Sequence, residues 1–369
     1  MKVGILTQPL RTNYGCLLQA YALQTVLQRL GHDVTIINRC YPKTQSLLYR
    51  FLRIKNIVIG RDVACTNSHK KNFVEENTSR FISRYHKLSP PIYTTEELKA
   101  YQQMEILDAI IVGSDQVWRP RYSPNIFNYF LDFTKGENQK RYSYAASFGV
   151  DKWEYNQYET VLCSKLAKLF NKISVREASA VSLCKEHLGV EAEHVLDPTL
   201  LLSSQDYVSL LAGNTQPSTG NLFTYILDTG AEKQSIINRI SEAADLKTFI
   251  CMPRLKFTYK NAKKNLKDCQ FPAVEQWIQS FIDAKMVITD SFHGTVFSII
   301  FNKPFWVLGN PRRGNTRTES LLTTFNLKER MIDSENIDNK DINASIDWKR
   351  VNAIKETLKT ESIDFLSNI

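Results

Sequence analysis

Residues 286–302 read MVITDSFHGTVFSIIFN, and they place His293 between an apolar run of strand type and an apolar run of helix type. An imidazole titrates near neutral pH, so a histidine at such a junction can act as general acid or base. The alternative is a capping or packing histidine satisfied by backbone; the Asp-Ser-x-His-Gly context favours the functional role. Three further stretches put polar residues where a buried strand ends: TNYG at 12–15, GSDQVW at 113–118 and SVRE at 174–177. Ligands of parallel α/β sheets bind outside the carboxyl ends of strands, often at helix N-termini. Asp115 can orient a hydroxyl or act as a base, or else cap a helix. Arg176 can clamp a carboxylate or phosphate with its two-pronged guanidinium, or else pair with Glu177 or another acid. Asn13 and Gly15 can offer donors to an anion, and Ser114 and Ser291 are further substrate-binding candidates. The stretch NPRRGNTR carries Arg312, Arg313 and Arg317, which either reach an anionic ligand or are solvated.

These residues need strands and helices to position them. KVGILT at 2–7 reads as a buried strand. Leu17, Leu18, Tyr21, Ala22, Leu23, Val26, Leu27 and Leu30 recur at helical spacing, and DVTIIN at 33–38 is a second strand. The unit is β-α-β, so a parallel sheet with a right-handed crossover is expected. LDAIIVGS, RYSYAASFG, ISVRE and AEHVLDP continue the strands of the first half, after helical insertions over about 43–105. LFTYILD, KTFICM, MVITDS and KPFWVLG supply strands of the second half, with helices between. The alternation predicts an α/β protein of two doubly wound Rossmann-like domains, 1–200 and 201–346. A C-terminal helix at 347–369 is expected to pack back on the first domain.

The chain has 369 residues, enough for two domains, with 43% hydrophobic and 23% charged residues, as in soluble enzymes. Its net charge of +9 suits an anionic partner: a phosphorylated small molecule, an anionic membrane surface or nucleic acid. No apolar run approaches the ~20 residues of a membrane span, and MKVGILTQPLR does not resemble a signal peptide. The seven cysteines are scattered without CxxC pairs or Cys/His clusters, so reduced thiols, a cytoplasmic location and no metal site are expected. Residues 46–61, SLLYRFLRIKNIVIGR, form a basic amphipathic pattern on a helix. It either packs on its own domain or meets an anionic membrane face.

The ordered set of motifs resembles the polysaccharide pyruvyl transferase family. It comprises GILTQPLRTNYGCLLQAYALQ, GSDQVW, ISVRE, DPTLLL, TDSFHGTVFSIIFNKPF and NTRTESLL, over residues 3 to about 330. The resemblance implies an architecture similar to the B-type glycosyltransferases, with the donor side in the second domain and the acceptor side in the first. It implies transfer of pyruvate from phosphoenolpyruvate, a donor substrate with no cofactor, onto two hydroxyls of a sugar. The sugar would belong to a cell-surface polysaccharide or its lipid-linked precursor; nucleic acid is not an implied partner. Better-known members carry an Arg where this chain has Ser291 or Phe292, so another cation must hold the donor, or the donor is not phosphoenolpyruvate. Arg317, Arg313 and Arg312 are the candidates, with Arg176 as the first anion clamp and His293 and Asp115 as acid and base. The other classes open to such a chain are a nucleotide-sugar glycosyltransferase on the same architecture and a non-catalytic module binding anionic glycans.

Overall fold

The computed structural model describes residues 1–42, 55–56, 61–134, 139–211, 213, 215–310 and 314–369. Most of the amphipathic 46–61 stretch, together with Arg312 and Arg313, lies outside the described residues.

Two parallel sheets carry the chain. The first holds β1 (Lys2–Leu6), β2 (Asp33–Ile36), β3 (Ala109–Asp115), β4 (Lys140–Ala146), β5 (Lys172–Val175) and β6 (Glu193–His194), in the order β2-β1-β3-β4-β5-β6. The second holds β7 (Leu222–Tyr225), β8 (Thr248–Phe249), β9 (Met286–Thr289), β10 (Phe305–Leu308) and β11 (Met331–Ile332), in the order β11-β10-β9-β7-β8. Every residue of β3, AIIVGSD, is buried, as expected of a strand covered on both faces. The helices that the site uses are α1 (Tyr14–Arg29), α2 (Ala178–Leu183), α3 (Ala231–Ala243), α4 (Val274–Asp283), α5 (Phe292–Ile300), α6 (Thr316–Thr324) and α7 (Trp348–Ser367).

Some strands are shorter than the apolar runs suggest. AEHVLDP yields only Glu193–His194 and KTFICM only Thr248–Phe249. Both are edge strands with one neighbour each, so the chain leaves the ladder early. Pro198, which has no N–H to donate, then opens a 3-10 turn over Pro198–Leu201. The short Met331–Ile332 strand has no clear sequence signal; two residues are too few to show a period.

α7 returns to the first sheet. Ser362 Oγ accepts from Leu196 N at 3.0 Å, and the Phe365 ring lies 6.0 Å from that of Tyr144. The largest apolar cluster runs through both sheets. Tyr14 at the start of α1 stacks on Trp277 of α4, with ring centroids 5.6 Å apart, and its hydroxyl donates to Pro272 O at 2.9 Å. The two halves are therefore held face to face.

Strand order locates the crevices. In the first sheet the order reverses between β1 and β3, and in the second between β7 and β9. Such reversal points open a gap outside the carboxyl ends of the strands. Here the two gaps face each other: one cleft is lined by Asn13, Asp115 and Gln116 from the first and by Leu227, Asp290, Ser291 and His293 from the second.

Candidate active site

His293 lies in the first turn of α5 rather than ahead of it, because Ser291 caps that helix and accepts from Gly294 N. Gly294 lets the helix close on its own strand; a Cβ there would lie 2.1 Å from Thr289 Oγ1. The imidazole then points across the cleft. A Cβ at Gly15 would lie 2.1 Å from His293 Nδ1, so Gly15 serves as the surface against which the ring rests. Asn13 is exposed in the cleft wall, and its side-chain oxygen accepts from Cys16 N as the cap of α1.

Two other histidines show what the packing role looks like. His86 Nε2 lies 3.0 Å from Leu17 O, and burial lowers its pKa to about 4. His194 Nε2 lies 3.0 Å from Arg176 O. His293 differs: among the described residues its buried Nε2 makes no hydrogen bond and faces Asp197 Oδ2 at 3.6 Å. That distance is too long for a hydrogen bond but close for a charge pair.

Asp197 is the organising carboxylate, and it was legible in the sequence only as the start of DPTLLL. Its Oδ1 accepts from Thr199 N at 3.0 Å and Thr199 Oγ1 at 2.6 Å, and its Oδ2 from Arg176 Nη1 at 2.9 Å. Burial would push this carboxyl up. His293 and Arg176, with the Thr199 hydroxyl, outweigh burial and hold it far below the usual carboxylate range. It thus touches Arg176 of the first half and His293 of the second.

Asp115 caps no helix. It ends β3 with φ 71°, a left-handed conformation uncommon outside Gly, Asn and Asp, and its Oδ1 accepts from Gln116 N at 2.9 Å and faces Arg176 Nη2 at 3.4 Å. Burial would raise its pKa, but the Arg176 charge, then His293 and Arg317, bring it below the ordinary value. Burial, followed by the neighbouring Asp115 charge, pushes the Cys16 thiol well up, so Cys16 is no thiolate nucleophile here.

Arg176 pairs with Asp197 and Asp115 rather than with Glu177. Glu177 instead accepts from Ser147 Oγ, Phe148 N and Gly149 N and fixes the loop after β4. The Arg176 guanidinium is thus occupied by carboxylates and does not present an open clamp; its fork reaches the cleft through them. Ser114 is fully buried, donating to Ala145 O at 2.9 Å, and cannot reach a ligand. Ser291 is a cap.

Arg317 of α6 lines the cleft from the second half. Its guanidinium lies 5.8 Å from the ring centroid of Phe292, while that of Arg176 lies 4.4 Å from the same ring. Burial, and then the positive Arg176, bring Arg317 down to about 10, still protonated at neutral pH. The cleft, a space of about 50 Å³, is lined by Arg317, Asp115, Asp290 and His293, and behind them Arg176 pairs with Asp115 and Asp197 faces His293. Such a set can neutralise an anion, donate a proton and accept one. Among the described residues no group of three or more His, Cys, Asp or Glu could hold a metal ion, and no helix is long and apolar enough to cross a membrane.

The chain is similar to several solved structures. UGT89C1 of Arabidopsis thaliana, complexed with UDP, is 11% identical, with 100% of this chain and 98% of that one covered and a TM-score of 0.51. The UDP-GlcNAc 2-epimerase of Methanocaldococcus jannaschii is 12% identical over 96% of this chain and 92% of its own, with a TM-score of 0.48. An O-GlcNAc transferase mutant of Thermobaculum terrenum is 11% identical with a TM-score of 0.41, and the chain spans 62% of its length. No curated protein matches the chain. At these identities the likeness shows the fold alone, which is the two-domain architecture of the B-type glycosyltransferases. The sequence itself goes further: matched over residues 13–312, the chain belongs to the polysaccharide pyruvyl transferase family, a family of transferases.

Proposed function

We propose that the protein transfers pyruvate from phosphoenolpyruvate onto two hydroxyls of one sugar, closing a cyclic ketal in a cell-surface glycan or its precursor. The observation that carries this is the pair of buried arginines, Arg176 and Arg317, over the ring of Phe292 beside His293. Family resemblance calls for a cation next to this histidine. Arg317 supplies it from another element, since the neighbouring position in sequence is Phe292.

The chemistry assigns each group a task. Phosphoenolpyruvate brings a carboxylate and a phosphate, and Arg317 receives this anionic donor. Protonated His293, facing Asp197, gives its proton to the methylene carbon and makes C2 electrophilic. A sugar hydroxyl attacks C2 and loses its proton to Asp115; the C2–O bond to phosphate breaks, and the departing phosphate takes the proton of the second hydroxyl as that oxygen closes the ring, leaving as hydrogen phosphate. One donor and one diol yield one ketal and one phosphate. Arg176 keeps both carboxylates ionised, the state in which Asp115 can accept a proton and Asp197 can stabilise an imidazolium.

A nucleotide sugar is the competing donor on this architecture. A ligand that binds only the folded state raises the melting temperature. Phosphoenolpyruvate should do so, and in the presence of a sugar diol the enzyme should release phosphate and add the mass of a pyruvate ketal. A shift with nucleotide sugars and none with phosphoenolpyruvate would replace this function by glycosyl transfer.

A further inference from the structure

A second cavity adjoins the cleft. It measures about 540 Å³ and lies outside the carboxyl ends of β7 and β8, while the cleft itself holds about 50 Å³. Leu227 lines both. The wall between them is Asp290, which accepts from Leu227 N at 2.6 Å, Asp228 N at 3.1 Å and Lys233 Nζ at 2.7 Å. A space near 50 Å³ accommodates reacting atoms, whereas one above ~300 Å³ is the size of ligand pockets. The larger cavity is thus the place for the part of a substrate that does not react.

Apart from Asp228, whose Oδ2 accepts from Asn310 Nδ2, and Lys233, which pairs with Asp290, its lining has two characters. Ile250, Met252 and Phe257 supply an apolar side, and Ile250 is 56% exposed, unusual for an isoleucine with nothing to cover it. Arg254 and Lys256 supply cations, and among the described residues neither makes an ion pair. They belong to a run in which residues 247–267 hold seven Lys or Arg and no acid. The N-terminus of the 13-residue helix α3 opens into the same cavity at Gly230, with no side chain capping it, and adds a partial positive charge. Cations beside an apolar wall, adjoining a site for a small donor, select a ligand with a polyphosphate and an apolar or planar body.

We propose that this cavity binds the carrier of the acceptor: a diphosphate-linked glycosyl acceptor seats its diphosphate on Arg254, Lys256 and the start of α3, its apolar body on Ile250, Met252 and Phe257, and its sugar toward His293. This rests on the pyruvyl transfer proposed above. It differs from the first-half acceptor side that the family resemblance implies, because the carrier sits in the second half.

The two claims fail separately. Binding is measured by calorimetry on the full chain with farnesyl diphosphate, with UDP and with their monophosphates, and donor binding by the melting shift with phosphoenolpyruvate. Farnesyl diphosphate or UDP should bind saturably and more tightly than its monophosphate, the stronger of the two naming the carrier as lipid or nucleotide. The exposed double variant Arg254→Glu, Lys256→Glu should lose about tenfold or more in that affinity, a loss that grows at low salt, and keep the phosphoenolpyruvate shift. Equal affinity in the variant, or no saturable binding of either diphosphate by the wild type, would overturn the carrier site. An absent phosphoenolpyruvate shift in both proteins would sink the donor assignment and leave the diphosphate result standing.

Discussion

Asp290 and Asp197 are buried carboxylates at strand ends on opposite banks of one cleft, and they are held differently. Asp290 is satisfied inside its own half by two backbone amides, Lys233 and Asn310 Nδ2 at 2.9 Å. Asp197 is satisfied in part by Thr199 and Arg176 from its own half, and its remaining face meets His293 from the other. A carboxylate whose acceptors are all filled locally is a tie between loops. One that reaches across the cleft couples the two halves to the chemistry. Burial alone does not tell them apart; the side of the cleft from which their donors come does.

The largest expected effect follows from breaking that coupling. Asp197→Asn leaves the buried Arg176 with only Asp115, an interaction loss on the order of 3–5 kcal/mol of stability, and turnover should fall with it. Both Asp197 and Asp115 sit below the ordinary carboxyl value in the folded state. Their stabilisation is therefore complete above about pH 4 and lost as pH falls through the folded values. Urea titrations from pH 2 to 7 should show a flatter acid limb for Asp197→Asn than for the wild type. Asp290→Asn is the contrast: about 1–3 kcal/mol of stability for a weakened acceptor, with turnover per folded molecule near that of the wild type. Equal loss of turnover in both variants would erase the distinction between tie and coupling.

His293→Asn sharpens the comparison from the other bank. The variant should fold and bind phosphoenolpyruvate as the wild type does, while turnover drops roughly 10²–10⁴-fold. Near-normal turnover in the folded variant would return His293 to the packing role that His86 and His194 fill.

The smallest effect separates the two arginines. Arg317→Lys keeps a positive charge and loses the fork, so donor affinity should weaken by about 1.5–3 kcal/mol in calorimetry. Arg176→Lys should chiefly lower stability, because its guanidinium serves Asp197 and Asp115. The reverse pattern, with donor affinity lost in Arg176→Lys and kept in Arg317→Lys, would restore Arg176 as the donor clamp.

The sequence by itself determined the alternation of strands and helices, because apolar periodicity is a local property. LDAIIVGS, MVITDS and the helical spacing from Leu17 to Leu30 each report their own burial, and the ordered motifs carried the family. It also marked His293, Asp115 and Arg176 as strand-end residues. It did not show who pairs with whom. The partners of Arg176 lie 61 and 21 positions away, and Asp197 and His293 stand 96 positions apart in sequence. Only the reversal of strand order in both sheets, and the docking of Tyr14 on Trp277, bring them together. Tertiary structure therefore decided that Ser114 is buried framework, that Asn13 and Ser291 cap helices, and that Asp197 stands between Arg176 and His293. Hydrogen bonds and ion pairs depend on distances of a few ångströms between remote segments, and no local pattern of residue types records them.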